Sequence, residues 1–207
     1  MPLIKKIPLE GGVVGLWEIT EKPGNFSRIS EILNNDPVFK KIKHTKRKTE
    51  FLATRALIEE LTGHFPNITY NADGSPFFPG QDKHISISHS ADMVAVIIHK
   101  NRVGIDVEKS DRPIGKIAHK FLSEKELKFT KCSRSPERSQ MICWCAKEAI
   151  FKWAPEQGID FASQIQIAPF SEEKDKNIYA NFISGKTYHL KLSFLEEKGN
   201  ILVWCIY

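Results

Sequence analysis

The sequence lacks the features that mark membrane, secreted and disulfide-stapled proteins. Its longest apolar run, residues 201–207 (ILVWCIY), is far shorter than the roughly 20 residues that a membrane-spanning helix requires. No CxxC pair and no His/Cys metal spacing occurs, so we interpret the cysteines as free thiols: Cys132, Cys143, Cys145 and Cys205. Because the first residues, MPLIKKIPLEGG, also lack a signal or transit pattern, we expect a cytoplasmic protein without a membrane partner.

A large excess of charge of one sign is also missing. With 30 Lys+Arg against 25 Asp+Glu the formal net charge is +5, and 41% of the residues are hydrophobic. These proportions are typical of a globular chain and exclude disorder, collagen and a coiled coil. A chain of 207 residues forms one large domain or two small ones, and either buries enough apolar surface to be stable without disulfides.

The positive charge is concentrated in one segment. Residues 40–48 (KKIKHTKRK) carry six Lys/Arg and no acid, which leaves the rest of the chain close to neutral. A nucleic-acid interface usually needs a wider stripe of positive charge, because its affinity comes from neutralising many phosphates. We therefore expect one local anion site and no nucleic-acid partner.

The periodicity of apolar residues predicts an α+β protein with two halves, residues 1–101 and 102–207. Residues 38–61 have near-helical spacing and end at Gly63, and a second long helix is predicted over residues 137–153, ended by Pro155 and Gly158. A capping box of Ser123 and Glu126 predicts a shorter helix in the second half. Strands are predicted at residues 11–20, 84–90, 93–98, 103–108, 164–168, 177–183, 187–195 and 201–207.

Two acids lie in the strand VGIDVE at residues 103–108. Successive strand residues point to opposite faces, so Asp106 and Glu108 share one face. Like charges held side by side repel each other unless they are protonated, solvated or bridged by a cation, and oxygen-only ligands suit Mg²⁺. The pattern is thus compatible with a magnesium site and with a strand end exposed to water.

The long helix of the second half carries charges on an almost wholly apolar surface. Glu148 and Lys152 lie four residues apart and share a face with Trp144, whereas Lys147 projects about 100° away. Buried charges are costly unless they are paired or bind a metal. Two interpretations remain open at this point: a simple ion pair between Glu148 and Lys152, and a functional site.

Residues 88–92 contain the residue types of a hydrolase triad, but neighbouring strand residues face opposite ways and cannot assemble one locally. His89 is either a phosphate donor or a core histidine. The sequence has no HExxH motif, and no glycine loop matches a P-loop or a dinucleotide fingerprint. These absences argue against a zinc protease and a nucleotide fold.

Two blocks together resemble one family. VGIDVE at 103–108 and WCAKEAIFK at 144–152 match the paired signature G-[IV]-D-x-E and W-x-x-K-E-[AS]-x-x-K of the 4′-phosphopantetheinyl transferase superfamily, in its longer, monomeric, surfactin-synthetase-activator type. The resemblance extends from about residue 40 to about residue 155, with Ser75 in a position where many members have lysine. Weaker blocks in family order are KRKTEFLATR at 46–55, Gly-Ser-Pro at 74–76, ISISHS at 85–90 and FLSEKE at 121–126.

The resemblance implies two similar α/β subdomains related by a pseudo-twofold, each a mostly antiparallel sheet with packed helices. It implies an Mg²⁺-dependent enzyme that moves the 4′-phosphopantetheine arm of coenzyme A to a serine of an apo acyl or peptidyl carrier protein and releases 3′,5′-ADP. The metal ligands would be Asp106, Glu108 and Glu148. Glu148 would also be the base, and Lys152 would stabilise the departing pyrophosphate. The implied coenzyme A contacts are Lys43, Arg47, Arg55, Ser88 and His89.

Two other functions are compatible with parts of the sequence. One is a binding module that grips nucleic acid or an acidic partner through residues 40–48, although this function needs neither the aligned acids nor a charged buried helix. The other is an Mg²⁺-dependent coenzyme A pyrophosphatase, which would use similar acids but no carrier protein.

Overall fold

The computed structural model describes residues 2–154, 156 and 158–207. The chain divides into two compact units, Met1–Lys100 (unit 1) and Asn101–Tyr207 (unit 2). Each unit combines helices with antiparallel sheets, which confirms the α+β class. Pro155, predicted as a helix stop, lies outside the described residues. Among the described residues, no helix combines the length and the apolarity needed to cross a membrane.

Unit 1 is built on a sheet with the strand order β1-β2-β6-β5. Its long helix, α3, packs on the two central strands and buries a cluster that includes Leu52, Leu57 and Ile58. The elements of unit 1 are β1 (Leu3–Leu9), β2 (Gly12–Glu18), α1 (Ser27–Ile32), α2 (Pro37–Lys41), α3 (Thr45–Thr62), β3 (Thr69–Tyr70), β4 (Pro76–Phe77), β5 (His84–Ser90) and β6 (Met93–His99), with 3-10 helices at Pro23–Phe26 and Leu33–Asn35.

Unit 2 is built on a sheet with the strand order β7-β11-β10-β9-β8. Its long helix, α5, packs on the first two strands of that order. The elements of unit 2 are β7 (Val103–Lys109), α4 (Glu124–Lys131), α5 (Pro136–Trp153), α6 (Phe161–Gln164), β8 (Ile165–Ile167), β9 (Asn177–Ser184), β10 (Lys186–Glu197) and β11 (Asn200–Ile206), with a 3-10 helix at Gly115–Lys120.

The two units share a connectivity. In unit 1 the strand before the helices, β2, pairs with the last strand, β6, and in unit 2 β7 pairs in the same way with β11. The long helix of each unit lies against that pair of strands. Strands that are distant in sequence thus lie side by side. The long helix of unit 1 covers the two central strands of its sheet, whereas that of unit 2 covers β7, at one end of its sheet, and the neighbouring β11.

The sequence prediction misses several features of unit 1, among them the short strands β3 and β4, strand β1 and a break before α3. Strand β1 was not predicted because its two lysines and Pro8 hide the alternation of apolar and polar residues. It is a half-exposed edge strand, and edge strands tolerate proline. The helix predicted over residues 38–61 is interrupted, because Ile42 and His44 adopt extended ψ angles of 108° and 125°. The predicted stop at Gly63 is confirmed, since this residue caps α3 with φ of 79°.

Helix α5 approaches strand β7 closely at Gly104. A Cβ atom added at this glycine would lie 1.9 Å from the carbonyl oxygen of Ala149 and 2.8 Å from the backbone nitrogen of Trp153. Both neighbours are backbone atoms of α5, so no side-chain rotation relieves the overlap. Strand β7 and helix α5 can therefore lie this close together only because Gly104 has no side chain.

We expect Gly104→Ala to lower the free energy of unfolding by at least about 2 kcal/mol, because the helix must move away from the strand. Urea unfolding followed by tryptophan fluorescence measures the loss. Gly24→Ala is the matched control, since nothing lies within 4 Å of a Cβ there, and it should change stability little. Equal stability of the two variants would contradict the close-packing argument.

Candidate functional site

Strand β7 holds Asp106 and Glu108 on the face that packs against α5. Asp106 is 5% exposed, and its Oδ1 accepts a hydrogen bond from Lys152 Nζ at 2.7 Å. The same ammonium group donates to the carbonyl oxygen of Ile105 at 3.0 Å. Glu108 accepts a hydrogen bond from Arg112, which follows the strand. Both carboxylates thus have a cationic partner from the chain itself.

Glu148 is half-buried on α5, one turn before Lys152. Burial raises the pKa of its carboxyl to about 6, with the negative charge of Asp106 as the next cause. The charge of Lys152 acts in the opposite direction, and that of Glu108 adds a smaller rise. Since these charges influence one another, Asp106, Glu108 and Glu148 form one electrostatic group spread over a strand and a helix.

The donor chemistry of this group fits Mg²⁺, because the ion prefers carboxylate oxygens, keeps several water ligands and needs only one or two carboxylates from the protein. In residues 2–154, 156 and 158–207, no set of three or more His, Cys, Asp or Glu side chains is already arranged to hold a metal ion. Lys152 and Arg112 contact two of the carboxylates instead. A cation would therefore have to share these acids with the two basic side chains.

The most deeply buried charge of α5 is Lys147, which the sequence places on a different face from Glu148 and Lys152 and to which it assigned no role. Its side chain is 0% exposed, and its Nζ donates to Glu126 Oε2 at 2.9 Å and to the carbonyl oxygens of Phe161 and Ile165 at 2.7 and 2.6 Å. All three ammonium protons are thus used. This network has a structural role that is separate from the acids of β7.

Glu126 links the buried lysine to two further elements. Its Oε2 accepts from the backbone nitrogen and the hydroxyl of Ser123, which confirms the predicted capping box, and its Oε1 accepts from the backbone nitrogen of Ile167 at 2.7 Å. Helix α4, helix α5 and strand β8 are therefore joined through one ion pair. The capping box was a sequence signal for Glu126, but nothing local pointed to its lysine partner.

The basic residues predicted to bind coenzyme A have different environments in unit 1. Lys43 and Arg47 are exposed, and Arg47 pairs with Glu50 at 3.1 Å. Arg55 is 3% exposed, with its guanidinium carbon 3.3 Å from the centre of the Phe51 ring. Arg55 also donates to the Tyr70 hydroxyl at 3.0 Å and lines a cavity of about 400 Å³ with Asp36. These contacts hold Arg55 within the unit, whereas Arg47 is exposed to solvent.

Ser88 and His89 lie on opposite faces of the sheet of unit 1. Ile85 and Ile87 belong to the cluster beneath α3, and strand alternation places His89 on the same face. His89 Nε2 lies 3.0 Å from the hydroxyl oxygen of Thr54 on α3. Ser88 is buried on the other face, so the strand does not bring the two side chains together.

All four cysteines are free thiols, as the sequence predicts. Burial raises the pKa of Cys205 to about 12 and is also the main cause of a pKa well above the ordinary value for Cys145. The thiol of Cys145 lies beside the acids of β7, whose charges raise its pKa further. These thiols are therefore poor nucleophiles.

Comparison with known proteins places unit 2 in a class of transferase enzymes. The family model described as "4′-phosphopantetheinyl transferase superfamily" matches residues 102–204. These residues, which carry Asp106, Glu108, Glu148 and Lys152, belong to that superfamily and confirm the resemblance stated from the two motifs.

Two curated relatives are named for the same type of transferase. The chain is 35% identical over 107 residues to the 4′-phosphopantetheinyl transferase gsp of Aneurinibacillus migulanus, a match that covers 50% of this chain and 45% of the relative. It is 28% identical over 107 residues to a Haemophilus influenzae protein named provisionally as a 4′-phosphopantetheinyl transferase, with 49% and 44% covered. The matched part therefore spans less than half the length of either relative.

Proposed function

We propose that this protein transfers the 4′-phosphopantetheine arm of coenzyme A to a serine of an apo acyl or peptidyl carrier protein and releases 3′,5′-ADP. The observation that supports this function is the grouping of three carboxylates and one lysine on β7 and α5, within residues that match the superfamily. Such a group suits chemistry at a pyrophosphate, which needs a cation, a base and a positive charge near the leaving group.

In this proposal Asp106, Glu108 and Glu148 would hold Mg²⁺. Bound there, the ion would neutralise the charge that develops on the pyrophosphate of coenzyme A. Glu148 takes the proton from the carrier serine, directly or through a water molecule. Lys152 leaves its hydrogen bond with Asp106 and donates to the departing phosphate oxygens.

We assign the proposed phosphate contacts of unit 1 according to how far each side chain is exposed to solvent. Arg47 and Lys43 are exposed, so they suit the 3′-phosphate of coenzyme A. Arg55 already stacks on Phe51, and we propose that it supports the same region from beneath. His89 and Ser88 are the proposed donors to phosphate oxygens, each from its own face of the strand. We further propose a monomeric protein that acts in the cytoplasm.

The function is tested by incubating the protein with coenzyme A, Mg²⁺ and a panel of apo carriers from fatty-acid, polyketide and peptide synthesis. The expected result is one added phosphopantetheine mass on a carrier, and none on a carrier whose acceptor serine is replaced. Unmodified carriers with intact coenzyme A would overturn the transferase proposal. Cleavage of coenzyme A without a carrier would favour the pyrophosphatase.

Coenzyme A binding should require a divalent cation, because three carboxylates otherwise repel a pyrophosphate. Asp106→Ala should remove the Mg²⁺ dependence and weaken binding at least roughly tenfold, the low end for mutations at metal sites. Calorimetry with Mg²⁺ and with EDTA measures both effects. Asp111→Ala, an exposed acid two residues after β7, is the control, and circular dichroism checks folding. Equal binding in EDTA would contradict the metal site.

Arg47→Ala should weaken coenzyme A roughly tenfold while changing dephospho-coenzyme A little, since only the first ligand carries the 3′-phosphate. Titration of both ligands measures the difference. Arg28→Ala is the matched control, because Arg28 is another exposed arginine of unit 1 that pairs with a glutamate. If Arg47→Ala weakens both ligands equally, the assignment to the 3′-phosphate is wrong. Arg55 is less suitable for this test, since its alanine variant also loses buried stacking.

A further inference from the structure

Arg112 lies just after strand β7 in a turn of the chain. Its backbone nitrogen donates to the carbonyl oxygen of Lys109 at 3.2 Å, which closes the turn. Pro113 follows, and a residue before a proline is largely confined to extended backbone. The turn therefore brings the side chain of Arg112 beside Glu108, four residues earlier in the chain.

The guanidinium group of Arg112 contacts a carboxylate and an aromatic ring. Its Nη1 donates to Glu108 Oε1, and its carbon atom lies 6.0 Å from the centre of the Trp144 ring. The second distance is at the limit of a cation–π interaction. The side chain of Arg112 is 46% exposed, whereas that of Glu108 is 16% exposed. Arg112 is thus the outer member of the ion pair, and solvent reaches it.

The charge of Arg112 also acts on the other acids of the site. Burial is the main cause that raises the pKa of Glu148 to about 6, and the charges of Asp106 and Glu108 raise it further. The charges of Lys152 and Arg112 both act in the opposite direction. The two basic side chains thus supply part of the positive charge that three neighbouring carboxylates need.

Lys152 is held more firmly than Arg112. Its Nζ donates to Asp106 Oδ1 at 2.7 Å and to the carbonyl oxygen of Ile105 at 3.0 Å. The second hydrogen bond ties Lys152 to the main chain of β7, and its side chain is only 26% exposed. Arg112 is more exposed, and exposed ion pairs contribute little free energy. Of these two cations, Arg112 is therefore the one that can leave its carboxylate at low cost.

We propose that Arg112 is a competing cation, which occupies Glu108 in the free protein and releases this carboxylate to Mg²⁺. The inference rests on the proposed function, in which Glu108 is a metal ligand. A guanidinium and a divalent ion beside one carboxylate repel each other, so each weakens the binding of the other. A supporting role, in which Arg112 orients Glu108 for the metal, has the opposite sign, because loss of such a partner lowers metal affinity.

Electron paramagnetic resonance with Mn²⁺ as the probe tests the competition without coenzyme A, because the signal of unbound Mn²⁺ measures its free concentration. Arg112→Gln should bind Mn²⁺ roughly fivefold more tightly than wild type, the effect of losing an exposed ion pair. Arg112→Lys keeps the charge and should stay close to wild type. Arg134→Gln is the matched control, since Arg134 is another exposed arginine of unit 2 that pairs with a glutamate. Equal or weaker binding in Arg112→Gln would overturn the proposal, as would an equal gain in Arg134→Gln.

The reactivity of Arg112 itself gives a second test. Phenylglyoxal modifies neutral guanidine groups, and a carboxylate partner slows the reaction because it keeps the guanidinium charged. Peptide mass spectrometry should find Arg112 modified faster in Mg²⁺ than in EDTA, and Arg134 modified at the same rate in both. An unchanged rate for Arg112 would show that its ion pair persists beside the metal, which contradicts its release.

These outcomes separate the inference from the proposed function. If Arg112→Gln and wild type bind Mn²⁺ equally while transfer to a carrier needs a divalent ion, only the role of Arg112 is wrong. If neither protein binds Mn²⁺, with or without coenzyme A, the proposed metal site fails and the inference fails with it. Unchanged circular dichroism of the Arg112 variants excludes a change of fold as the cause of altered binding.

Discussion

Glu148→Gln is expected to slow phosphopantetheine transfer by at least roughly a hundredfold, the low end for loss of a general base. The substitution keeps the size of the side chain but removes the negative charge that is proposed to bind Mg²⁺ and to accept the serine proton. It also removes the repulsion between Glu148 and Asp106, so the fold itself should not be weakened. The rate is measured with a carrier that the wild type modifies, under saturating coenzyme A.

The control is Glu137→Gln, an exposed acid in the first turn of the same helix. It removes the same charge far from the acids of β7 and should leave the rate within about twofold, as surface substitutions usually do. A Glu148→Gln enzyme with nearly wild-type turnover would exclude Glu148 as the base. If Glu148→Gln has normal turnover but binds coenzyme A more weakly, Glu148 has a role in binding only.

Lys147→Met should lower the free energy of unfolding by about 3–5 kcal/mol, because it leaves the carboxylate of Glu126 buried without its cation. The two carbonyl oxygens of Phe161 and Ile165 lose their donor as well. Methionine has a similar length, so the loss reports the missing charge rather than a cavity. Urea unfolding measures this loss of unfolding free energy. A purified Lys147→Met variant that does not fold would indicate a still larger loss.

Lys128→Met is the matched control for this prediction, because Lys128 is an exposed lysine on α4. Its stability should stay within about 0.5 kcal/mol of wild type. The double variant Lys147→Met with Glu126→Gln should be more stable than Lys147→Met alone, since a neutral amide costs less to bury than a charge. A loss below about 1 kcal/mol for Lys147→Met would show that water reaches this pair.

Local periodicity was sufficient to predict the parts of the site that depend on neighbouring residues. Strand alternation places Asp106 and Glu108 on one face, and the structure has both on the side of α5. Helix α5 was predicted as residues 137–153 and runs from Pro136 to Trp153. The α+β class and the superfamily of residues 102–204 also followed from the sequence, because two signatures lie at family spacing on a strand and a helix.

Partners that are distant in sequence could not be predicted. Lys147 and Glu126 are 21 positions apart, and Lys152 and Asp106 are 46 apart, so no short pattern couples them. The sequence left an ion pair between Glu148 and Lys152 open, and the structure pairs Lys152 with a strand residue. The stacking of Arg55 on Phe51 also depends on how α3 packs, since it buries a residue type that is usually exposed.

The contact at Gly104 determines which parts of unit 2 are free to vary. Strand and helix touch there through main-chain atoms, so the spacing of the β7 acids from Glu148 and Lys152 is fixed by the backbone and not by the size of any core side chain. Substitutions among the apolar residues beneath the sheet can alter stability while this spacing stays the same. Repacking of the core therefore leaves the distances between these acids unchanged. The hydrogen atom that Gly104 carries in place of a methyl group maintains them.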